Sequence, residues 1–158
     1  MKQLVCLLMI ALGTLASEPK VTLIYGSWNP GEGGPVTTLT NPMKQPFGVD
    51  FDAQGNMFIV ELAGGRVHKL TPENIFTTIA GDGSKSYKGD GGPAKAATFN
   101  GMHNVAVTPA GDVYISDSWN FCVRKIDTRG MASTVVGTGK RGFGGDGGPL
   151  RKAAFTFT

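Results

Sequence analysis

The sequence predicts an all-β protein built from repeated units of four short antiparallel strands. Twenty-four glycines and nine prolines among 158 residues suit short strands joined by many turns. A shift of 56 residues lays GVDFDAQGNMFIVE, from Gly48, onto NVAVTPAGDVYISD, from Asn104. The loop GDGGPAKAAT, from Gly89, returns as GDGGPLRKAA, from Gly145, and a looser copy begins at Gly31. A loop that recurs with the strands belongs to the architecture.

The four strands of each unit follow one another along the chain. The first strand, FGVDF or NVAVT, leads to a turn whose glycine, Gly55 or Gly111, suits a left-handed residue. Strand two is MFIVE or VYISD, and strand three is RVHKL or CVRKI. A turn at Asn74 or Gly130 leads to strand four, FTTIA or STVVG. Repeated antiparallel units of this kind form the blades of a β-propeller.

The N-terminal residues 1–17 predict a secretory signal peptide. Lys2 precedes the apolar run LVCLLMIALGTLA, and the small residues Thr14 and Ala16 lie where a signal peptidase would act. A membrane anchor is the alternative, but the run is too short to span a bilayer comfortably. We therefore expect a secreted or periplasmic protein with no membrane contact after cleavage. Cys6 leaves with the signal peptide, so Cys122 is the only mature cysteine and no intramolecular disulfide is expected.

One segment of the second unit resembles a known repeat family. ISDSWNFCVRKI, from Ile115, resembles the NHL repeat, whose strand pair runs through an Asp, a tight turn with Asn, and an Arg-Lys-Ile ending. The connection from Ala80 to Ala94 is similar to the inter-blade connections of exported bacterial NHL proteins. The resemblance implies a six-bladed propeller akin to the senescence-marker-protein and gluconolactonase group. The chain departs from the repeat at Phe121, where the name-giving His is expected, and at Gly64–Gly65.

The repeat divides residues 18–158 into blade units near 23–78 and 79–134 and a partial unit over 135–158. Two blades and the start of a third do not close a ring, and six units would need roughly 340 residues. We interpret the chain as the N-terminal part of a longer propeller. Self-association of short chains into one ring is the alternative.

His103 and Asn104 are the candidate metal ligands. They enter the innermost strand of the second unit, which lines the channel of a propeller. In related lactonases and in the amidating lyase, channel-facing His, Asn and acidic side chains hold a metal, so the resemblance implies calcium or zinc as candidate ions. One imidazole and one amide do not fill a metal's shell, and the first unit has Phe47 and Gly48 at these positions. A solvated or hydrogen-bonded His, without any cofactor, is the simpler interpretation.

Four residues are candidate contacts for a ligand or partner. Trp119 and Phe121 flank Asn120 on a predicted hairpin turn, where the two rings could stack on a ligand or be buried between blades. Asp90 lies in the glycine-rich loop, which exceeds the usual connection length. Two acids eight residues apart, Asp82 and Asp90, do not match a calcium loop, so we expect Asp90 to bond nearby amides.

Three other acidic residues are predicted to be structural. Asp50 lies on a strand face that neighbouring blades cover, so a Lys or Arg partner is expected. Glu61 and Asp117 close strand two and are interpreted as turn-bonding residues rather than acid–base catalysts.

The composition favours binding over catalysis. No serine, cysteine or paired-carboxylate constellation is visible. Removing Lys2 leaves 14 of 15 basic residues against 12 acidic ones, which gives little reason to expect a nucleic-acid partner. We predict a non-catalytic scaffold whose loops on one face bind a protein, peptide or glycan. The alternative is a metal-dependent enzyme of lactonase or lyase type, with its site in the channel.

Overall fold

The computed structural model describes residues 43–158, so the predicted signal peptide and the loop copy at Gly31 lie outside the described residues. Two four-stranded antiparallel sheets fill this part of the chain. The first contains β1 (Pro46–Phe51), β2 (Met57–Glu61), β3 (Val67–Leu70) and β4 (Phe76–Ala80). The second contains β5 (Met102–Val107), β6 (Val113–Asp117), β7 (Cys122–Ile126) and β8 (Ala132–Val136). Single 3₁₀ turns cover Ala94–Ala96, Ser118–Asn120 and Leu150–Lys152. The predicted all-β class of four-stranded blades is confirmed.

The 56-residue period holds in the backbone geometry. Strand β2 lies 56 residues before β6, and β4 lies 56 residues before β8. The predicted turn residues adopt positive φ in both sheets, with Gly55 at 79° and Gly111 at 90°. The second pair does the same, with Asn74 at 64° and Gly130 at 76°. The turn chemistry of the two blades was therefore readable from the sequence.

The core lies between the two sheets. Strand β5 packs on β1 and β2, and the apolar side chains that meet there are buried. Asp50 also joins the sheets, because its Oδ2 accepts a hydrogen bond of 2.7 Å from the Val107 N–H on β5. The expected Lys or Arg partner of Asp50 was wrong. A backbone donor satisfies the carboxylate instead and ties the two innermost strands together.

The glycine-rich connection, residues 81–101, is here called the crossing loop. Its Gly81 N–H donates to Ala94 O at 2.9 Å, and the same bond recurs 56 residues later from Gly137 N–H to Leu150 O at 3.0 Å. The loop also pairs with the outermost strand of the second blade, where Ala132 N–H donates to Gly92 O at 2.9 Å. These bonds show that the loop connects one blade to the next and completes its outer edge. Within residues 43–158, no helix is long and apolar enough to cross a membrane.

Candidate functional site

The innermost strand of each blade begins with a bulge that takes one residue out of the ladder. The register shifts between Pro46 and Gly48 in β1, and between Met102 and Asn104 in β5. The residues left out are Phe47 and His103, which occupy equivalent positions in the two blades. Bulges re-aim side chains, and they are frequent beside binding sites.

Four aromatic rings meet at these bulges and form what we call the aromatic cluster: Phe47, His103, Trp119 and Phe157. The His103 ring lies 5.0 Å from Phe47, 4.7 Å from Phe157 and 6.4 Å from Trp119, measured between ring centroids in edge arrangements. Phe47 is 58% exposed and Trp119 is 43% exposed. Apolar rings with this much accessible surface, grouped on one face, are typical of a binding surface.

Gly101 positions two members of the aromatic cluster. Its carbonyl oxygen accepts a hydrogen bond of 2.8 Å from His103 Nδ1, so Nε2 carries the lone pair of the neutral ring. Gly101 has φ +65°, and a Cβ added there would lie 2.2 Å from Trp119 Cδ2. The indole therefore packs directly on the Gly101 backbone. The backbone N–H of Trp119 also donates to Asn100 O at 3.1 Å, which fixes the turn that carries the ring.

The structure separates the three turn residues that the sequence grouped together. Trp119 joins the aromatic cluster, whereas no ring contact in the described part of the chain involves Phe121. Phe121 instead follows the 3₁₀ turn with φ 52°. Asn120 is buried, and its Nδ2 donates to Ser86 O at 2.8 Å and to Asp117 Oδ2 at 2.9 Å. Both amide donors of Asn120 are thus engaged inside the protein. Ligand roles for Asn120 and Phe121 stay predictions.

The crossing loop adds a cation to the aromatic cluster. Lys85 Nζ lies over the Trp119 ring, 5.7 Å from its centroid. Lys85 is exposed, and none of the ion pairs among residues 43–158 includes it. Sequence reasoning missed Lys85, because only the fold brings this loop position beside a turn 34 residues later. The contact places an unpaired ammonium group beside an exposed indole.

The predicted metal ligands do not gather a full set of donors. Asn104 is exposed, and its Oδ1 accepts a hydrogen bond of 2.9 Å from the N–H of Val105. In the part of the chain that the structure describes, no group of three or more His, Cys, Asp or Glu side chains could hold a metal ion. His103 Nε2 is suited to coordination, but one imidazole does not make a site. The metal role of His103 and Asn104 stays a prediction.

A buried arginine holds the crossing loop in place. Arg124 is fully buried on β7 and donates to Thr98 O at 2.8 Å and to Lys88 O at 3.1 Å. Its guanidinium carbon also lies over the Phe99 ring, 4.6 Å from the centroid. The rigid fork of a guanidinium suits several acceptors at once. This side chain therefore connects the strand to two points of the loop.

Asp90 is the charged partner of Arg124. Its Oδ1 accepts from Arg124 Nη2 at 2.8 Å, and Arg151 Nη1 lies 3.7 Å from its Oδ2. Burial alone would raise the pKa of Asp90, but hydrogen bonds from Thr134 and the Arg124 guanidinium outweigh it and hold the pKa below its ordinary value. We expected nearby amides as the partners; the Thr134 backbone is one of them, and the Arg124 guanidinium is a charged partner that was not expected. A contact between Asp90 and a ligand stays a prediction.

Comparison with known proteins agrees with this fold. The model of the NHL repeat matches residues 99–126, which include β5, β6 and β7. Residues 99–126 are thus similar to an NHL repeat, and the two four-stranded sheets have the form of propeller blades. No curated protein matches the sequence.

Solved structures with similar folds come from Bacteroides thetaiotaomicron VPI-5482. One, described as a structural genomics protein of unknown function, is 22% identical with a TM-score of 0.66, and the match covers 87% of this chain and 33% of that one. A putative phosphatase is 22% identical with a TM-score of 0.57, over 82% and 33%. An auxiliary nutrient binding protein is 21% identical with a TM-score of 0.55, over 68% and 29%. At these identities the likeness shows the fold alone, and the chain spans about a third of the length of these structures.

The departure from the NHL pattern at Gly64 has a physical reason. Strand two ends with Asp117 in the second blade, and Asn120 fills the space beside its carboxylate. The first blade has the longer Glu61, and a Cβ on Gly64, the counterpart of Asn120, would lie 1.8 Å from Glu61 Oε2. The longer Glu61 side chain thus occupies the space that Asn120 fills beside Asp117 in the second blade.

The buried carboxylates both accept hydrogen bonds from the start of their own blade, as turn-bonding residues would. Asp117 Oδ1 accepts from Asn100 N–H at 2.7 Å, and Glu61 Oε1 accepts from Lys44 N–H at 2.7 Å. Burial would raise the pKa of Glu61, but the contacts with His68, Arg66 and the Lys44 N–H outweigh it and lower the pKa. Glu61 is therefore ionised at neutral pH.

The pKa of Asp117 is shifted upward, in contrast to that of Glu61, and this makes the stability of the protein depend on pH. Burial raises its pKa to about 6 from an ordinary value of 3.8, against the lowering effects of Asn120, the Asn100 N–H and Arg124. The folded protein therefore binds a proton more tightly than the unfolded chain, so this group's contribution is full below about pH 4 and is lost as pH rises to about 6. The loss is on the order of 3 kcal/mol.

We expect the Asp117→Asn variant to lack this loss, because an amide cannot ionise. Urea unfolding of both proteins from pH 4 to pH 7 measures it. The free energy of unfolding of the variant, relative to the native protein, should rise between pH 4 and pH 6. A constant difference across this range would contradict the assignment.

The cysteine on β7 is poorly suited to act as a nucleophile. Cys122 is buried on β7, and burial, together with the Asp117 charge, raises the pKa of its thiol to about 12. A thiol that stays protonated at neutral pH is unreactive.

Proposed function

We propose that this chain is part of an exported, six-bladed NHL propeller that binds its ligand without catalysis. The ligand site is the aromatic cluster, on the face where the innermost strands begin. The observation that carries the proposal is the pair of equivalent bulges, which display Phe47 and His103 beside the exposed ring of Trp119. Export follows from the predicted signal peptide, and the ligand is a protein, peptide or glycan.

Two further observations support a binding role. Gly101 holds both Trp119 and His103 in fixed positions, and a prearranged surface loses less entropy when a ligand binds. A structural neighbour of the same fold is described as a nutrient binding protein.

The first test compares Trp119→Ala with the native protein on glycan and peptide arrays. We expect at least a tenfold weaker signal for the native ligand, because buried aromatic anchors carry much of the binding energy. Phe143→Ala is the matched control, since Phe143 is 92% exposed and lies outside the aromatic cluster. A ligand bound equally by all three proteins would contradict the proposed site.

A metal-dependent enzyme of lactonase or lyase type is the second candidate. The hydrogen bond from His103 Nδ1 to Gly101 O favours it, because metal-binding imidazoles commonly donate their other N–H to a carbonyl. In this case His103 would hold the metal through Nε2, and the metal would polarise the substrate. A thermal-shift titration with zinc and calcium separates the two candidates. A rise in Tm that His103→Ala abolishes would favour the enzyme, and an unchanged Tm favours the binding module.

A further inference from the structure

We infer that the ligand is an acidic saccharide, whose carboxylate binds Lys85 and whose sugar ring packs against the exposed rings of the aromatic cluster. The inference rests on the proposed function and specifies its ligand class.

The charge around the aromatic cluster favours an anion. The Lys85 ammonium has no carboxylate partner among the described residues, and its three N–H donors are available beside the Trp119 ring. Asp82, the nearest acid along the loop, instead accepts hydrogen bonds through Oδ1 from Ser84 N–H at 2.7 Å and Ser84 Oγ at 2.6 Å, and none of the ion pairs among residues 43–158 joins it to Lys85. Asp117 is buried in its own network. Neither Asp82 nor Asp117 pairs with the Lys85 ammonium, so an anionic ligand would pair with this group.

The shape and chemistry of the surface favour a sugar ring. A pyranose has apolar C–H faces and hydroxyl edges, and the aromatic cluster supplies exposed ring surface on Phe47 and Trp119. Polar side chains adjoin these rings, because the His103 Nε2 lone pair and the exposed Asn104 amide can bond hydroxyl groups. These polar groups are side chains rather than an open strand edge, which favours a ring ligand over a strand-adding peptide.

The repeat of the bulges favours a polymer. Phe47 and His103 occupy the same position in successive blades, with ring centroids 5.0 Å apart. A surface that presents rings at repeated positions matches a ligand that repeats its own rings. An acidic oligosaccharide has both this repetition and the charge that Lys85 would recognise.

The test uses the full-length protein and two probes, an oligogalacturonate and its methyl ester, which differ only in the carboxylate charge. Titrations followed by Trp fluorescence and calorimetry measure the affinities. We expect the acid to bind about fivefold to tenfold more tightly than the ester, because a charge-assisted hydrogen bond is lost on esterification. Lys85→Gln should remove this preference. Lys95→Gln, an exposed lysine of the same crossing loop, should keep it.

The outcomes separate this inference from the proposed function. Equal affinity for the acid and the ester in the native protein would overturn the acidic ligand. If neither probe binds but Trp119→Ala removes a peptide from the array, the saccharide class is wrong and the binding function stands. If Trp119→Ala changes nothing on any probe or array, both are wrong. Higher salt should weaken the acid more than the ester, because ions screen an exposed charge pair.

Discussion

Replacing Arg124 by methionine is expected to lower the free energy of unfolding by roughly 3–5 kcal/mol, because Arg124 is buried and the equally buried Asp117 carboxylate lies 3.9 Å from its Nη1. The loss is large because methionine has no N–H group to donate to the three acceptors of Arg124. Thr98 O, Lys88 O and the Asp90 carboxylate would lose donors that lie 2.8–3.1 Å away. Urea unfolding followed by circular dichroism measures the change.

Arg129→Met is the matched control for this prediction. Arg129 also pairs with an aspartate, with Nη2 2.8 Å from Asp127 Oδ2, but its side chain is 82% exposed. An exposed pair contributes little, so we expect a loss below about 1 kcal/mol. If both variants lose the same free energy, burial of Arg124 does not hold the crossing loop.

The second large effect is expected for Gly101→Ala. The methyl group would meet Trp119 Cδ2 at 2.2 Å, at a backbone position with φ +65°. The left-handed conformation costs roughly 1–2 kcal/mol and the clash roughly 1–3 kcal/mol more, unless the indole moves. We therefore expect lower stability, a shifted Trp fluorescence maximum and weaker ligand binding together.

Gly130→Ala separates the two causes. Gly130 has φ +76°, but no atom lies within 4 Å of a Cβ added there. This variant should lose only the conformational part, with unchanged ligand binding. Equal fluorescence and binding in the two variants would mean that Gly101 does not position Trp119.

Much of the fold was predictable because its determinants are local. The 56-residue shift located the strands, and Gly55 and Gly130 marked turns that require positive φ. The sequence also placed His103 correctly at the start of the innermost strand of the second blade, β5. The predicted partner of Asp50 was wrong, because the Val107 N–H comes within reach of its carboxylate only when the two sheets pack together.

The candidate site was only partly predictable. Sequence comparison showed that Phe47 is the counterpart of His103, and this difference counted against a shared metal site. In the structure the two rings lie 5.0 Å apart and form one surface. The Arg-Lys-Ile ending placed Arg124 in the repeat but did not predict its contacts, since its acceptors lie 26 to 36 residues earlier and the first blade has His68 at that position. Contacts between distant segments need the fold before they can be recognised.

The central claim is that the aromatic cluster, with Lys85 beside it, holds the ligand, and that the glycine-rich stretch from Gly89 to Gly92 does not. Two-dimensional ¹H–¹⁵N NMR of the protein, titrated with the array ligand that depends on Trp119, tests this most directly. The largest shift changes should fall on the Trp119 indole N–H and on the amides of Phe47 and His103. Changes centred on Gly89, Gly91 and Gly92, with the cluster and Lys85 unaffected, would contradict it.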